Sequence, residues 1–219
     1  MLDISKELNH IEALVRSLGS GGIEVLGGDY TGGIYLQQSP DEIAPCIMDL
    51  ILIRDKGRFK NYLEIGAAAG GSTYLLNLFF NWDNILLIDD NKHRHKHWKF
   101  RKEILKHIRY EEFIGNSHTE VAYDFAKRFK FDLIFIDGDH SYEGVKMDIE
   151  MYSGLLNKGG LLLLHDTIVD AFKGVRQAFK ELKMNRNFKF INEYISKKQH
   201  KLGLGLFQKV SDGYTLFKF

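Results

Sequence analysis

The chain of 219 residues contains one cysteine, Cys46, and two prolines, Pro40 and Pro45. A single thiol forms no intrachain disulfide and no cysteine-rich metal site, which points to a reducing compartment. No apolar run approaches the roughly 18 residues that a membrane span needs. There is no excess of charge of either sign: 30 Lys and Arg stand against 29 Asp and Glu, a formal net charge of +1. That balance disfavours a chain whose main work is to neutralise nucleic-acid phosphate. Disorder is excluded by the opposite argument, because 44% of residues are hydrophobic and 13% aromatic, enough for one sizeable core. What the chain does have is glycine, 21 of them, and their placement is the first clue to function.

Ile4, Leu8, Ile11, Val15 and Leu18 fall on one face of a helix over residues 3–18. With charges between them, this N-terminus reads as neither signal peptide nor membrane anchor, and the expected location is the cytoplasm. A glycine-rich stretch, Gly19 to Gly33, ends that helix. Ser39-Pro40-Asp41-Glu42 then reads as an N-cap, a proline at the first helical position and acids in the first turn of a second helix reaching about Leu52.

From there short apolar runs alternate with helical segments. The strand-like runs are 62–65, 85–88, 112–114, 133–136 and 161–164; the helical ones are 72–80, 92–108, 118–129 and 141–157. Continuous rather than alternating apolar strands are buried on both sides, so these β-α units predict a parallel sheet with helices on both faces. A further helix near 171–184 precedes two runs, 188–195 and 202–210, expected to form an antiparallel hairpin at one sheet edge.

The segment Glu64-Ile65-Gly66-Ala67-Ala68-Ala69-Gly70-Gly71-Ser72 follows a strand and opens a helix. Small residues there let the backbone approach a ligand, and the helix N-terminus favours negative charge. Asp89 ends the next strand, about 20 residues on, where an acid can accept both hydroxyls of an adenosine ribose. Two ligands compete for such a loop. A dinucleotide fingerprint wants glycine where Ala68 stands, whereas Glu64, two residues before the first glycine, can receive the ammonium of a methionine moiety.

Two further strand ends carry acids. Asp137 closes the run Phe131–Ile136, and Asp166 follows Leu161–His165. On neighbouring strands about 4.8 Å apart they meet at the carboxyl edge of the sheet. Two carboxylates that close repel unless one is protonated or a cation sits between them, and with open positions they suit an oxygen-preferring ion such as Mg²⁺. His140 could take a proton from an acceptor hydroxyl, and His165 could complete a metal shell or bind a ligand.

The Glu64-x-Gly66-x-x-x-Gly70 pattern resembles motif I of class I S-adenosylmethionine-dependent methyltransferases. The stretch IDGDHSYEGVKMDIEMYSGLLNKGGLLLLHDT resembles the small metal-dependent O-methyltransferases, a family that includes macrolide-sugar O-methyltransferases and cephalosporin-hydroxylase-like proteins. The resemblance covers about residues 35–210. It implies a Rossmann-like, doubly wound, mostly parallel α/β sheet of seven strands in the order 3-2-1-4-5-7-6. Residues 1–55 would form an N-terminal helical extension, and residues 56–219 the S-adenosylmethionine-binding part of one structural domain. The implied reaction is methyl transfer from S-adenosylmethionine to an oxygen of a hydroxylated small molecule, such as a sugar, assisted by Mg²⁺ or another divalent cation.

By the same resemblance Asp137 and Asp166 align with metal-binding acids and His140 with a general base, Asp137 also bordering the cofactor. His165 stands where several relatives carry an acid. The cofactor would be held by Glu64, Gly66, Ala67, Gly70, Ser72 and Asp89, with Asn116 and Ser117 near the adenine. Gln37 and Gln38 lie where the N-terminal segment approaches cofactor or acceptor. A homodimer is expected, and no membrane or nucleic-acid partner.

Alternatives stand beside this reading. They are a nicotinamide-dependent oxidoreductase, a metal-independent N-methyltransferase and a non-catalytic cofactor-binding module. His93, His95 and His97 alternate within Asn91–Tyr110, a run with eight Lys and Arg and one acid that reads as a solvated helical face. Trp82 and Trp98 read as packing residues, and Cys46 as a buried small side chain.

Overall fold

The computed structural model describes residues 4–19, 33–54, 59–92, 96–197 and 202–211. Two helices come first, α1 (Ile4–Leu18) and α2 (Pro40–Arg54). Then follow β1 (Asn61–Ile65), α3 (Gly71–Phe79), β2 (Asn84–Asp89), α4 (Arg101–Ile104), β3 (Glu111–Ile114), α5 (Glu120–Ala126) and β4 (Phe131–Ile136). The chain continues through α6 (Tyr142–Tyr152), β5 (Leu156–His165), α7 (Lys173–Met184), β6 (Phe188–Tyr194) and β7 (Leu204–Lys209). The strands form one sheet in the order β3-β2-β1-β4-β5-β7-β6, the order expected. Strands β1 to β5 pair in parallel, and β7 is antiparallel to both β5 and β6.

The period-2 alternation of the strands divides the interior into two layers. Tyr62, Leu87, Leu133, Phe135, Leu161 and Leu163 pack with Ile11 and Val15 of α1, Ile43 and Ile47 of α2 and Leu75 of α3. Leu63, Ile65, Leu86, Ile134, Ile136 and Leu162 face the other way, onto Ala126 of α5, Val145 and Ile149 of α6 and Val175 and Phe179 of α7. Burial on both sides explains the unbroken apolar strands. Cys46 lies in the first layer, fully buried, and Trp82 stacks on Tyr62 and Phe59.

The register sets the site. Ile65 pairs with Ile88 on one side and Ile136 on the other, and Ile136 pairs with Leu164. Hence Gly66, Asp89, Asp137 and His165, each at or just past a strand end, share one edge of the sheet.

Two expected elements differ. The basic run is no helix over 92–108: Lys96 takes left-handed backbone (φ 54°), a 3-10 turn covers His97–Phe100, and α4 is one turn long. The helix expected over 141–157 ends at Tyr152, and β5 starts at Leu156, where it already pairs with Phe131. Tertiary pairing there overrides the helical spacing. No helix among the described residues is long and apolar enough to cross a membrane.

Candidate active site

The loop between β1 and α3 is shaped by Gly66, whose φ of +86° is open to glycine at no steric cost. A Cβ there would lie 2.0 Å from the backbone oxygen of Asp137, so the loop rests directly on the start of the β4–α6 connection. Ala68 also has positive φ, 43°, and its N–H donates to Asp89 Oδ2 at 2.7 Å. The other oxygen, Oδ1, accepts from Asn91 N at 2.7 Å and lies 3.2 Å from Arg101 Nη2. Asp89 is thus held over the loop by both of its oxygens.

Arg101 belonged, on sequence, to a solvated basic face. In the structure it is buried, with Nε donating to Ala68 O at 2.8 Å and Nη1 to Glu112 Oε2 at 2.8 Å. His97 is buried too, paired with Gln37 across 2.9 Å. The lysines of that run, Lys92, Lys96, Lys99, Lys102 and Lys106, are exposed as expected. His93 and His95 lie outside the described residues, as does most of the Gly19–Gly33 stretch.

Asp137, His140, His165 and Asp166 converge at the ends of β4 and β5. His140 Nε2 is 3.4 Å from Asp137 Oδ1 and 3.1 Å from Asp166 Oδ2. His165 Nδ1 is 3.1 Å from Asp137 Oδ1 and 3.3 Å from Asp166 Oδ1. Asp166 adopts left-handed backbone (φ 58°), which aspartate tolerates better than most residues. Ser141 Oγ caps α6 by accepting from Gly144 N at 3.0 Å, and Asp139 Oδ1 accepts from Ser141 N at 2.8 Å. His140 is therefore free of capping duty. Its ring stacks on Phe172 with centroids 4.2 Å apart.

The charges of this cluster are strongly coupled. Burial works against ionised aspartates, but the adjacent His165 and the His140 hydrogen bonds hold both Asp137 and Asp166 below the ordinary carboxylate range. Burial likewise works against the imidazoliums, and the aspartates overcome it: His140 rises to about 9 and His165 well above its ordinary value. Asp137, His140 and Asp166 each offer a ligand atom, all within 4.8 Å of one another. Two carboxylate oxygens and an imidazole nitrogen at that spread fit one divalent ion. His165, with Nδ1 turned onto the aspartates, touches the ligand set rather than joining it.

Glu64 sits below the loop, fully buried. Its Oε2 accepts from Tyr62 OH at 2.8 Å and from Thr73 Oγ1, and burial raises it to about 7 against those bonds. Ala67 O accepts from Gly70 N at 2.7 Å, closing the turn. Ser72 Oγ donates to Gln38 Oε1 at 3.1 Å. The segment carrying Gln37 and Gln38 lies against the loop, close enough that a Cβ on Gly71 would meet Ile34 O at 2.6 Å. Beyond β3, Asn116 is exposed with Oδ1 accepting from His118 N, and Ser117 O accepts from Tyr152 OH at 2.6 Å.

Sequence reasoning missed three participants: Arg101, Phe172 and Thr73. Arg101 alone had a signal: its spacing from the loop is that of a residue after the next strand. The partners of the other two are set only by the fold.

Residues 63–167 match a family model described as a methyltransferase domain, the stretch that holds the loop, Asp89 and the cluster. The protein R132 of Acanthamoeba polyphaga mimivirus, itself uncharacterized, is 28% identical over 111 residues, 48% of this chain and 50% of that protein. The chain thus spans about half the length of the curated relative it matches. Among solved structures, the O-methyltransferase TomG of Streptomyces achromogenes, in complex with SAM, aligns with TM-score 0.61 and 15% identity over 96% of this chain and 100% of that one. The N-methyltransferase NodS of Bradyrhizobium japonicum, in complex with S-adenosyl-L-homocysteine, aligns with TM-score 0.60 and 18% identity over 85% and 95%. An O-methyltransferase of Bacillus cereus aligns with TM-score 0.58 and 16% identity over 95% and 91%. These likenesses establish the Rossmann-like methyltransferase fold.

Proposed function

We propose that this chain transfers a methyl group from S-adenosylmethionine to an oxygen of a hydroxylated small molecule, a sugar among the candidates, with help from a divalent cation. One observation carries the reading: the loop that would cradle the cofactor touches the backbone of Asp137, whose side chain is half of the carboxylate pair. Cofactor and cation sites are therefore adjacent, as transfer to a cation-held oxygen requires.

In this reading Asp89 accepts the ribose hydroxyls, positioned by Ala68 N–H, Asn91 N–H and Arg101. Glu64 supports the loop through Oε2, and Oε1 is the oxygen assigned to the methionine ammonium. Asn116 and Ser117 border the adenine. Asp137 and Asp166 would hold the cation, which when bound would lower the pKa of the acceptor hydroxyl. His140 bears a proton while both carboxylates act on it. Neutralising those carboxylates removes the field that raises it, and the imidazole then accepts the hydroxyl proton. Phe172 keeps the ring in place. Residues 1–55 would serve the cofactor and acceptor side through Gln37 and Gln38.

The sheet order argues against the nicotinamide alternative, since dinucleotide enzymes commonly run 3-2-1-4-5-6 without an inserted antiparallel strand. A calorimetric titration with S-adenosylmethionine, in excess Mg²⁺ and again in EDTA, tests the proposal. Micromolar binding in either buffer supports the cofactor, and methyl transfer that stops in EDTA supports the cation. Absence of binding in both defeats the reading; activity that persists in EDTA favours a metal-independent methyltransferase acting on nitrogen or oxygen.

A further inference from the structure

Helix α6 grips the loop after β3 with two side chains. Asp148 and Tyr152 stand four residues apart on it and so share a face. Tyr152 OH donates to Ser117 O at 2.6 Å, and Asp148 Oδ1 lies 3.2 Å from Nε2 of the next residue, His118. His118 N in turn donates to Asn116 Oδ1 at 2.9 Å, an Asx turn in which Asn116 is exposed. The loop begins beside the ribose-side acid, because Gly115 N donates to Asp89 O at 2.9 Å. Asp148 also reaches the connection after β4: a Cβ on Gly138 would lie 3.4 Å from its Oδ2.

The Asp148 side chain is fully buried and that of His118 is 17% exposed. Both Asp148 oxygens and His118 Nε2 are cut off from solvent, and a carboxylate so placed is costly unless paired. Apolar side chains would fill the gap between α6 and the loop at no such cost. What a carboxylate–imidazole pair adds is direction, since it fixes an angle as well as a distance. Asn116, Ser117 and His118 are thereby tied to one another or to α6, within a loop that starts at Asp89. A purine carried by a ribose at Asp89 has this loop as its neighbour, and reading a purine edge takes polar groups held in fixed places.

We propose that His118 and Asp148 are positioning residues for the base of the cofactor. The pair holds Asn116 and Ser117 where they read the adenine edge, an N6 amine that donates and an N1 that accepts, and so lets the site tell adenine from a 6-oxo purine. The proposal rests on the S-adenosylmethionine reading above and is independent of the cation.

The test is calorimetric binding of S-adenosylhomocysteine and of S-inosylhomocysteine, whose 6-oxo purine reverses both polar atoms of that edge. The proteins are wild type, His118→Gln, Asp148→Asn and the paired change. Wild type should favour S-adenosylhomocysteine. In either single variant that ligand should bind about tenfold more weakly, the worth of one well-placed hydrogen bond. S-inosylhomocysteine, which never had the bond, should bind almost as before, so the preference shrinks by the same factor. The paired change should lose no more than either single one, because the two residues act as a unit. Where a single change strands a buried charge and the protein does not fold, the paired variant, which leaves none unpaired, decides. Unchanged affinity for S-adenosylhomocysteine overturns the proposal. So does an equal loss for both ligands, since general loosening weakens both alike, and so does a paired variant that fails to fold, which makes the pair a structural clamp. A wild type that binds both ligands equally removes this role and keeps the methyltransferase reading; one that binds neither removes both.

Discussion

Arg101 Nη2 lies 3.2 Å from Asp89 Oδ1, an ion pair almost wholly removed from solvent. The same guanidinium holds the Ala68 carbonyl, so one side chain ties the loop after β1 to the acid that ends β2. Breaking a buried pair from one side leaves the other charge uncompensated. Arg101→Lys keeps the charge but loses the fork, and should weaken binding of S-adenosylhomocysteine by about tenfold, or ~1.4 kcal/mol. Asp89→Ala should weaken it as well, and should also lower stability, because Arg101 then keeps only Glu112 as a carboxylate partner. Calorimetry reads both; an unchanged dissociation constant for Asp89→Ala would contradict the ribose role.

Gly66 is where the loop and the cluster meet. Its φ of +86° and the 2.0 Å approach of a Cβ to Asp137 O leave no room for a side chain. Gly66→Ala should lose about 3 kcal/mol of stability, read as a lower urea midpoint with unchanged slope.

Asp137→Asn removes a charge from the cation site without touching the ribose acid. Cation-dependent methyl transfer should disappear, with affinity for S-adenosylhomocysteine nearly unaltered. Full activity in that variant would remove the cation hypothesis.

Phe172 holds His140 by stacking rather than by a polar bond. Phe172→Ala should lower the rate about fivefold to tenfold through lost orientation of the ring, leaving cofactor affinity in place. Equal loss in kcat and in cofactor binding would mean that Phe172 supports the fold instead.

The acid–base balance of the cation-free protein gives a pH signature. Glu64 is raised from 4.5 to about 7 and His140 from 6.5 to about 9. Both bind their protons more tightly folded than unfolded, so the stability they contribute is complete below the unfolded values and is lost as pH rises through the folded ones. In EDTA, urea midpoints should fall from about pH 4.5 to 7 through Glu64 and from about 6.5 to 9 through His140. Glu64→Gln should remove the lower part of that fall, on the order of 3 kcal/mol. Asp137 and Asp166, lowered in the fold, act in the opposite sense, and their contribution is lost only as pH drops below about 3.8.

Much of this was legible in one dimension. Continuous apolar runs such as Leu133–Ile136 and Leu161–Leu164 announced strands buried on both faces, and the acids placed just after them announced a functional edge. Glycines at 66 and 70 marked the turn before α3. The basic run was misread because charge counts along a helix cannot show that one arginine turns inward: Lys96 breaks the helix, and Arg101 then meets Asp89, Ala68 and Glu112. Helix spacing in 153–157 gave way to pairing with β4 for the same kind of reason, a partner distant in sequence.

By itself, the sequence determined the layers, the strand sides and which residues stand at the carboxyl edge, because these follow from local periodicity and from the chain order of β-α units. Only the tertiary structure decided which of those residues share charge. Asp137 and Asp166 are 29 positions apart; the parallel register of β4 and β5 brings them into one field. Coulomb energy depends on distance and burial in space, and neither is written in the order of residues along a chain.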